Sequence, residues 1–138
     1  MLKSIEEEQE LRLDFSKLRK AVEHSPDIIP VVAQNIDSRE VLVVAYVNEE
    51  ALNEAMRRRT AVFWSTSRNE LWIKGETSGN TFDLEEVRVN CEQNSLLYLV
   101  RPRGSGMCHT RNSGGESRSG CYYRRLDFES GKLENLDP

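Results

Sequence analysis

The sequence has 138 residues, of which 38% are hydrophobic and 30% are charged, and this length and composition fit one globular domain with its own core. The formal net charge is −4, which argues against general nucleic-acid binding because that function normally needs a basic surface. No apolar run reaches the about 18 residues that a membrane span requires, and the acidic N-terminus has no apolar signal-peptide core. We therefore expect a cytoplasmic protein whose cysteines are reduced.

The N-terminal part of the chain predicts a helix over residues 5–23, which are rich in helix formers. Its apolar positions at helical spacing are Leu11, Phe15, Leu18 and Val22. We divide the chain accordingly into an N-terminal helical segment, residues 1–27, and a second domain over residues 28–138.

The remainder of the chain predicts mostly strands. Residues 28–36 and 41–47 are apolar and β-branched, with a polar turn between them, and this pattern indicates a hairpin. Asn48 is a good N-cap for a helix over residues 49–59, which begins with acidic residues and ends with arginines. The later predicted strands cover residues 61–67, 71–74, 82–91, 96–101 and 121–128. With a Gly- and Ser-rich loop before the last strand, the order predicts an α+β fold with a largely antiparallel sheet and few helices.

The three cysteines, Cys91, Cys108 and Cys121, are too few to pair completely within one chain. Zinc favours thiolate ligands, and a catalytic zinc site keeps one position for water, so three cysteines and a water satisfy its usual coordination. The alternative is that all three are buried thiols that act as small hydrophobic residues. Against that alternative, Cys108 lies in a polar loop and adjoins His109, a candidate general acid or base. His109 has its own alternative, a surface loop histidine.

Residues 72–80 combine a tryptophan, a lysine, a glutamate, two hydroxyl side chains and two glycines. Backbone amides exposed by glycines, together with Ser and Thr hydroxyls, suit phosphate binding. The alternative is a β-hairpin with ordinary turn chemistry. The density of different functional groups favours a binding segment.

Several of these segments resemble the phosphoribosyl-AMP cyclohydrolase family of histidine biosynthesis. The A-Y-V-N sequence at residues 45–48 is similar to the family's A-Y-M-N segment, and residues 65–80 are similar to its S-R-S…L-W-x-K-G-E-T-S-G-N block. The family's three-cysteine set is matched by Cys91, by C-H-T at residues 108–110 and by C-Y-Y-R at residues 121–124. The resemblance covers residues 28–125, most of the chain.

The resemblance implies an intertwined homodimer with zinc at the interface, where Cys91 of one chain meets Cys108 and Cys121 of the other. It also implies a reaction in which water opens the adenine ring of phosphoribosyl-AMP between N1 and C6. Zinc makes a water molecule acidic enough to attack near neutral pH, and His109 is the residue placed to take or return the proton. The candidate substrate-binding residues are Arg68, Trp72, Lys74, Glu76, Thr77, Ser78 and Arg111.

The sequence departs from the family pattern in three ways. Around its first cysteine the family carries D-C-D-x-D, a magnesium site, whereas this chain has Asn90, Glu92 and Asn94 at those positions. Magnesium prefers hard anionic oxygens, so this second metal site is expected to be weak or absent. The stretch between the last two cysteines is longer than in the family, with Arg111 where a glycine usually follows C-H-T. Two alternatives therefore stay open: a paralogue that hydrolyses a different nucleotide-like ring, and a non-catalytic dimer joined by zinc.

Overall fold

The computed structural model describes residues 4–104 and 108–138, and its elements are mostly strands. The helices within these residues are α1 (Ser4–Glu7), α2 (Lys17–His24) and α3 (Glu49–Arg58). The strands are β1 (Ile29–Asn35), β2 (Val41–Val47), β3 (Val62–Ser65), β4 (Glu70–Ile73), β5 (Phe82–Val89), β6 (Leu96–Pro102), β7 (Arg124–Leu126) and β8 (Leu133–Asn135). None of the helices is long and apolar enough to cross a membrane. The predicted α+β class with mostly antiparallel strands is confirmed.

The central sheet has four strands in the order β2-β1-β6-β5. The predicted β1–β2 hairpin is present, with Val31 opposite Ala45. Its turn is closed by the Asn35 side chain, whose Oδ1 accepts hydrogen bonds from the backbone N–H groups of Asp37 and Ser38 at 2.9 and 3.1 Å. The β1–β6 pair is parallel, and the sequence did not predict this pairing because it joins segments far apart in the chain.

The hydrophobic core lies between the central sheet, α3 and the small β3–β4 sheet. Tyr98, Phe63 and Phe82 are its largest fully buried side chains. The Tyr98 hydroxyl donates a hydrogen bond to the Val62 carbonyl at 3.2 Å, which satisfies its polar atom inside the core. At the start of α3 the predicted N-cap is confirmed, because Asn48 Oδ1 accepts from the Ala51 N–H at 2.9 Å. These contacts fix the sheet and helix against which the functional site is built.

The N-terminal part of the chain is not the continuous helix predicted over residues 5–23. Helix α1 ends at Glu7 and α2 begins only at Lys17. Between them, the Asp14 carboxylate accepts hydrogen bonds from the backbone N–H and the hydroxyl of Ser16 at 3.0 and 2.7 Å, a local arrangement that competes with the helix. The four apolar positions at helical spacing are all exposed in the single chain: Leu11, Phe15, Leu18 and Val22. The division of the chain after residue 27 stays a prediction.

The last predicted strand, residues 121–128, is also shorter in the structure. Only β7 (Arg124–Leu126) is a strand, and it pairs with β8 (Leu133–Asn135). The preceding residues leave this pairing because the Cys121 N–H donates to the Leu42 carbonyl of β2 at 2.8 Å. The N–H of Leu133 in turn donates to the Gln9 carbonyl at 2.7 Å, so the N-terminal segment is hydrogen-bonded to the C-terminal hairpin.

Candidate active site

A cavity of about 570 Å³ opens beside β4 and gathers most of the predicted site residues. Its walls come from β4, from the turn that follows it, and from the chain between Cys108 and Cys121. The predicted site residues that line it are Arg68, Trp72, Lys74, Glu76, Thr77, Ser78, Cys108, His109, Arg111 and Cys121. Cys91 and the three positions of the degenerate magnesium motif, Asn90, Glu92 and Asn94, do not line it.

Trp72 lies on β4 opposite Phe63 of β3. The two ring centroids are 5.3 Å apart, so one part of the indole packs on the core while the residue also lines the cavity. An aromatic ring braced in this way presents a rigid apolar surface to a planar ligand.

We name residues 74–80 the glycine turn; they connect β4 to β5. The alternative of a hairpin is wrong here, because β4 pairs with β3 while β5 pairs with β6. Gly75 has φ +78°, and a Cβ added there would lie 2.3 Å from the backbone C and O of Asn80. The turn therefore needs a residue without a side chain at this close approach of its two ends.

Lys74 is the charged group of the glycine turn and is only 6% exposed. Its Nζ donates to the Asn80 carbonyl at 2.8 Å and lies 5.2 Å from the centre of the Phe82 ring. Burial lowers the pKa of Lys74, while the neighbouring thiols of Cys121 and Cys108 act in the opposite direction. The amine thus lies between the glycine turn and the cysteines.

Cys108 and Cys121 come together at the cavity wall as free thiols. The Cys108 N–H donates to the Arg118 carbonyl at 2.9 Å, and its Sγ lies 3.0 Å from Thr110 Oγ1. Cys121 is exposed as a residue, but loss of solvent around its thiol first, and then the adjacent Cys108 thiol, raise the pKa of Cys121 to about 12, although Lys74 acts against this rise. When no metal ion is bound, the loss of solvent and the neighbouring thiol therefore both favour the protonated form of Cys121.

Cys91 lies apart from this pair, in the exposed turn between β5 and β6. Cys121 is exposed as well and only Cys108 is buried, so the alternative of three buried core thiols is wrong. Within residues 4–104 and 108–138, no group of three His, Cys, Asp or Glu side chains is arranged to hold a metal ion. One chain therefore brings two of the three cysteines together.

The degenerate magnesium motif closes the β5–β6 turn on itself. Asn90 Oδ1 accepts from the backbone N–H groups of Asn94 and Ser95, both at 2.9 Å. Asn90 Nδ2 donates to Asn94 Oδ1 at 2.7 Å. Both amide side chains are thus occupied by turn hydrogen bonds.

We name residues 109–120 the long loop; they fold back on themselves and are fastened to both ends of the described chain. Arg111 and Ser117 form a β-bridge. Arg118 is only 2% exposed; its guanidinium donates to both carboxylate oxygens of Glu7 at 2.8 and 3.1 Å and to the Asp137 carbonyl at 2.9 Å. The same guanidinium lies 4.1 Å from the centre of the Tyr123 ring.

His109 lies at the start of the long loop, and its side chain is 73% exposed. Its Nε2 lies 2.5 Å from a carboxylate oxygen of Glu6, so this exposed loop histidine has a side-chain partner, and its proposed role as an acid or base stays a prediction. Sequence reasoning missed Glu6, Glu7 and the buried position of Arg118. The only available signal was the pairing of an acidic N-terminus with a basic loop, and such charge runs usually indicate solvated surfaces.

The family model described as phosphoribosyl-AMP cyclohydrolase matches residues 43–123, a span that contains all the residues that line the cavity. Three relatives with the same name are similar to the chain. The Haloarcula marismortui protein is 46% identical over 112 residues, which cover 81% of this chain and 88% of the relative. The Archaeoglobus fulgidus protein is 45% identical over 100 residues, or 72% and 86%. The Halobacterium salinarum protein is 42% identical over 135 residues, or 96% of each.

Proposed function

Because the chain belongs to the phosphoribosyl-AMP cyclohydrolase family, we propose that it opens the adenine ring of phosphoribosyl-AMP by hydrolysis in histidine biosynthesis. In this reaction the water oxygen adds to C6, the C6–N1 bond breaks, and N1 takes up a proton. The observation that supports the proposal is the cavity, where two thiols, an imidazole, a buried amine and an aromatic ring meet. All of these groups lie inside the span that matches the family model.

The pair of thiols fits zinc chemically. Soft thiolate ligands select zinc over hard cations, and Cys108 and Cys121 are adjacent and free of disulfides. When bound, zinc supplies a water molecule with a pKa near 7 and so a nucleophile at neutral pH. A catalytic zinc usually has three protein ligands, one more than the described part of a single chain brings together.

We propose that Cys91 of the partner subunit is the third ligand, in a homodimer. Two features support this assembly: Cys91 is exposed on a turn away from the cavity, and apolar side chains of the N-terminal segment face solvent in the single chain. These include Phe15, Leu18 and Val22. Clusters of exposed apolar side chains mark surfaces that bind another protein, such as a second subunit.

The other residues of the cavity bind the substrate and transfer the proton. The Trp72 ring, braced by Phe63, provides a surface on which the purine stacks. The glycine turn and Arg68 offer hydroxyls, backbone amides and a cation to the phosphates or ribose groups, and Arg111 adds a second cation from the long loop. To His109, which lines the cavity, we assign transfer of the proton between water and N1.

Magnesium does not fit the β5–β6 turn of this chain. The amide groups of Asn90 and Asn94 are occupied by hydrogen bonds within the turn, and Glu92 is the one carboxylate left in the motif. Magnesium is usually bound through carboxylates in near-octahedral geometry. We therefore propose that turnover does not depend on magnesium held at this turn.

The direct test is to incubate the zinc-loaded protein with phosphoribosyl-AMP, with and without magnesium, and to follow ring opening by ultraviolet absorbance. We expect turnover that Cys108→Ala abolishes and that Ser119→Ala, in the long loop but outside the cavity lining, retains. Zinc content is measured on each variant. Zinc-loaded protein without turnover would contradict the proposal and favour either of the two alternatives, a different nucleotide substrate or a structural zinc.

The shared site has a separate test in mixed variants. Cys91→Ala and Cys108→Ala are each expected to be inactive, but each lacks a different part of the site. After they are unfolded together and refolded as an equal mixture, mixed dimers contain one intact site, and about a quarter of the wild-type activity should return. No recovery, from variants that each refold as dimers, would contradict a zinc site built from two subunits.

A further inference from the structure

The carboxylate of Glu6 contacts the imidazole of His109 across 103 positions of sequence. We propose that Glu6 is a positioning residue, which holds the His109 ring in the orientation that proton transfer at the cavity requires. The inference rests on the proposed function, because it assigns Glu6 a role through His109. Glu6 itself does not line the cavity.

The contact determines which ring nitrogen is available. Glu6 Oε2 lies 2.5 Å from His109 Nε2, and a carboxylate there accepts the Nε2–H hydrogen bond. The neutral imidazole then has its lone pair on Nδ1. Glu6 thereby holds the ring through Nε2 and leaves Nδ1 outside this contact.

The environment of the two side chains favours this role for Glu6. The Glu6 side chain is 25% exposed, whereas that of His109 is 73% exposed. An imidazole so open to solvent has little packing to limit its rotation, so a fixed carboxylate is what restricts the ring. The backbone of Glu6 is fixed in turn, because its carbonyl accepts from the Tyr123 hydroxyl at 2.9 Å.

Docking of the N-terminal segment does not by itself explain why the Glu6 carboxylate contacts His109, because other groups already hold that segment in place. Arg124 donates to the carbonyls of Ile5 and Glu8 at 2.8 and 2.9 Å, and Arg118 forms two hydrogen bonds with Glu7. The segment thus has anchors on both sides of Glu6. Its carboxylate also contacts His109, a residue of the cavity wall.

The test compares Glu6→Ala and Glu6→Gln with Glu8→Gln, whose carboxylate pairs with Arg12 in the same segment. We expect Glu6→Ala to lower kcat about ten- to a hundredfold with KM nearly unchanged, by analogy with the loss on removing a group that orients a histidine at a metal site. Glu6→Gln keeps an acceptor oxygen and should recover part of the loss. Glu8→Gln should leave both constants unchanged.

A double-mutant cycle distinguishes positioning from general destabilisation. If Glu6 acts through His109, then Glu6→Ala has no further effect on kcat in the His109→Ala background. An equal loss in both backgrounds, or an unchanged kcat in Glu6→Ala alone, would overturn the inference while leaving the proposed function intact. A fully active His109→Ala would instead overturn the proposed role of His109, and the inference with it.

The imidazole nitrogens provide a readout that does not depend on turnover. The chain has two histidines, His24 and His109, so the ¹⁵N signals of His109 are assigned by comparison with His109→Ala. We expect one tautomer, with the proton on Nε2, in the wild type and a mixture in folded Glu6→Ala. Identical His109 signals in both proteins would contradict the proposed contact.

Discussion

The glycine turn and the long loop both line the cavity, but they are held in place by contacts of different range. In the glycine turn, the Lys74 amine bonds to the Asn80 carbonyl six positions away, and the Asn80 N–H bonds to the Ser78 hydroxyl. In the long loop, the corresponding contacts of Arg118 reach Glu7, 111 positions away, and Asp137, 19 positions away. These bonds hold the glycine turn through its own residues, whereas they hold the long loop through both ends of the described chain.

The difference has a physical consequence for stability and motion. A turn closed by neighbouring residues orders few dihedral angles for each hydrogen bond, whereas a loop fastened to distant segments is ordered only when those segments are docked. We therefore expect the glycine turn to lose its structure when a substitution introduces strain within the turn itself. The long loop should unfold locally when the N-terminal segment undocks from it, while the rest of the fold stays intact.

The largest effect is expected from Gly75→Ala. A Cβ at Gly75 would overlap backbone atoms of Asn80 at 2.3 Å, whereas Gly79 has φ +83° and open space around it. The left-handed conformation alone costs about 1–2 kcal/mol for a non-glycine residue, and the overlap adds roughly 1–3 kcal/mol. Urea denaturation should show the larger loss for Gly75→Ala than for the matched Gly79→Ala. Equal losses would mean that the two ends of the turn do not approach closely.

An intermediate effect is expected from Arg118→Met. The change removes a buried guanidinium and its hydrogen bonds to Glu7 and Asp137, and the expected loss is about 1–3 kcal/mol in the free energy of unfolding. Limited proteolysis should detect cleavage in the long loop before the protein unfolds globally.

The matched control for that experiment is Arg125→Met, which removes an exposed ion pair with Glu134. Exposed ion pairs contribute little to stability, so we expect no measurable change in Tm. If Arg118→Met were equally silent, the long loop would not depend on its contacts with the chain ends.

A smaller effect than that of Arg118→Met is expected from Asn112→Ala, which weakens the turn of the long loop. Asn112 Oδ1 accepts from the N–H groups of Gly114 and Glu116, both at 3.0 Å, and its Nδ2 donates to Asp137 Oδ1 at 3.1 Å. We expect a loss of about 1 kcal/mol in the free energy of unfolding. Ser78→Ala, which removes one local hydrogen bond from the glycine turn, should cost less, and the reverse order would contradict the comparison.

Most of the strands and the groups that line the cavity were predictable, because their signals are local. The β1–β2 hairpin follows from two β-branched runs around a polar turn, and helix α3 from its Asn48 cap. The cavity residues were identifiable as chemical types, and their resemblance to one family gave them roles. Their grouping around β4 was not visible in composition or spacing.

The tertiary structure decided the parts that depend on distant contacts. It fastened the broken N-terminal helix to the C-terminal hairpin, since the Gln9 carbonyl accepts a hydrogen bond from the Leu133 N–H. It also buried Arg118 against Glu7 and placed Glu6 on His109, and it kept Cys91 off the cavity wall.

The sequence by itself determined the central hairpin, helix α3 and the chemical types that line the cavity, because periodicity, turn residues and capping act over a few positions. Only the tertiary structure decided which side chains meet across the long loop and the chain ends. Those contacts depend on the free energy of docking between segments more than a hundred positions apart. No local pattern in the sequence encodes that free energy.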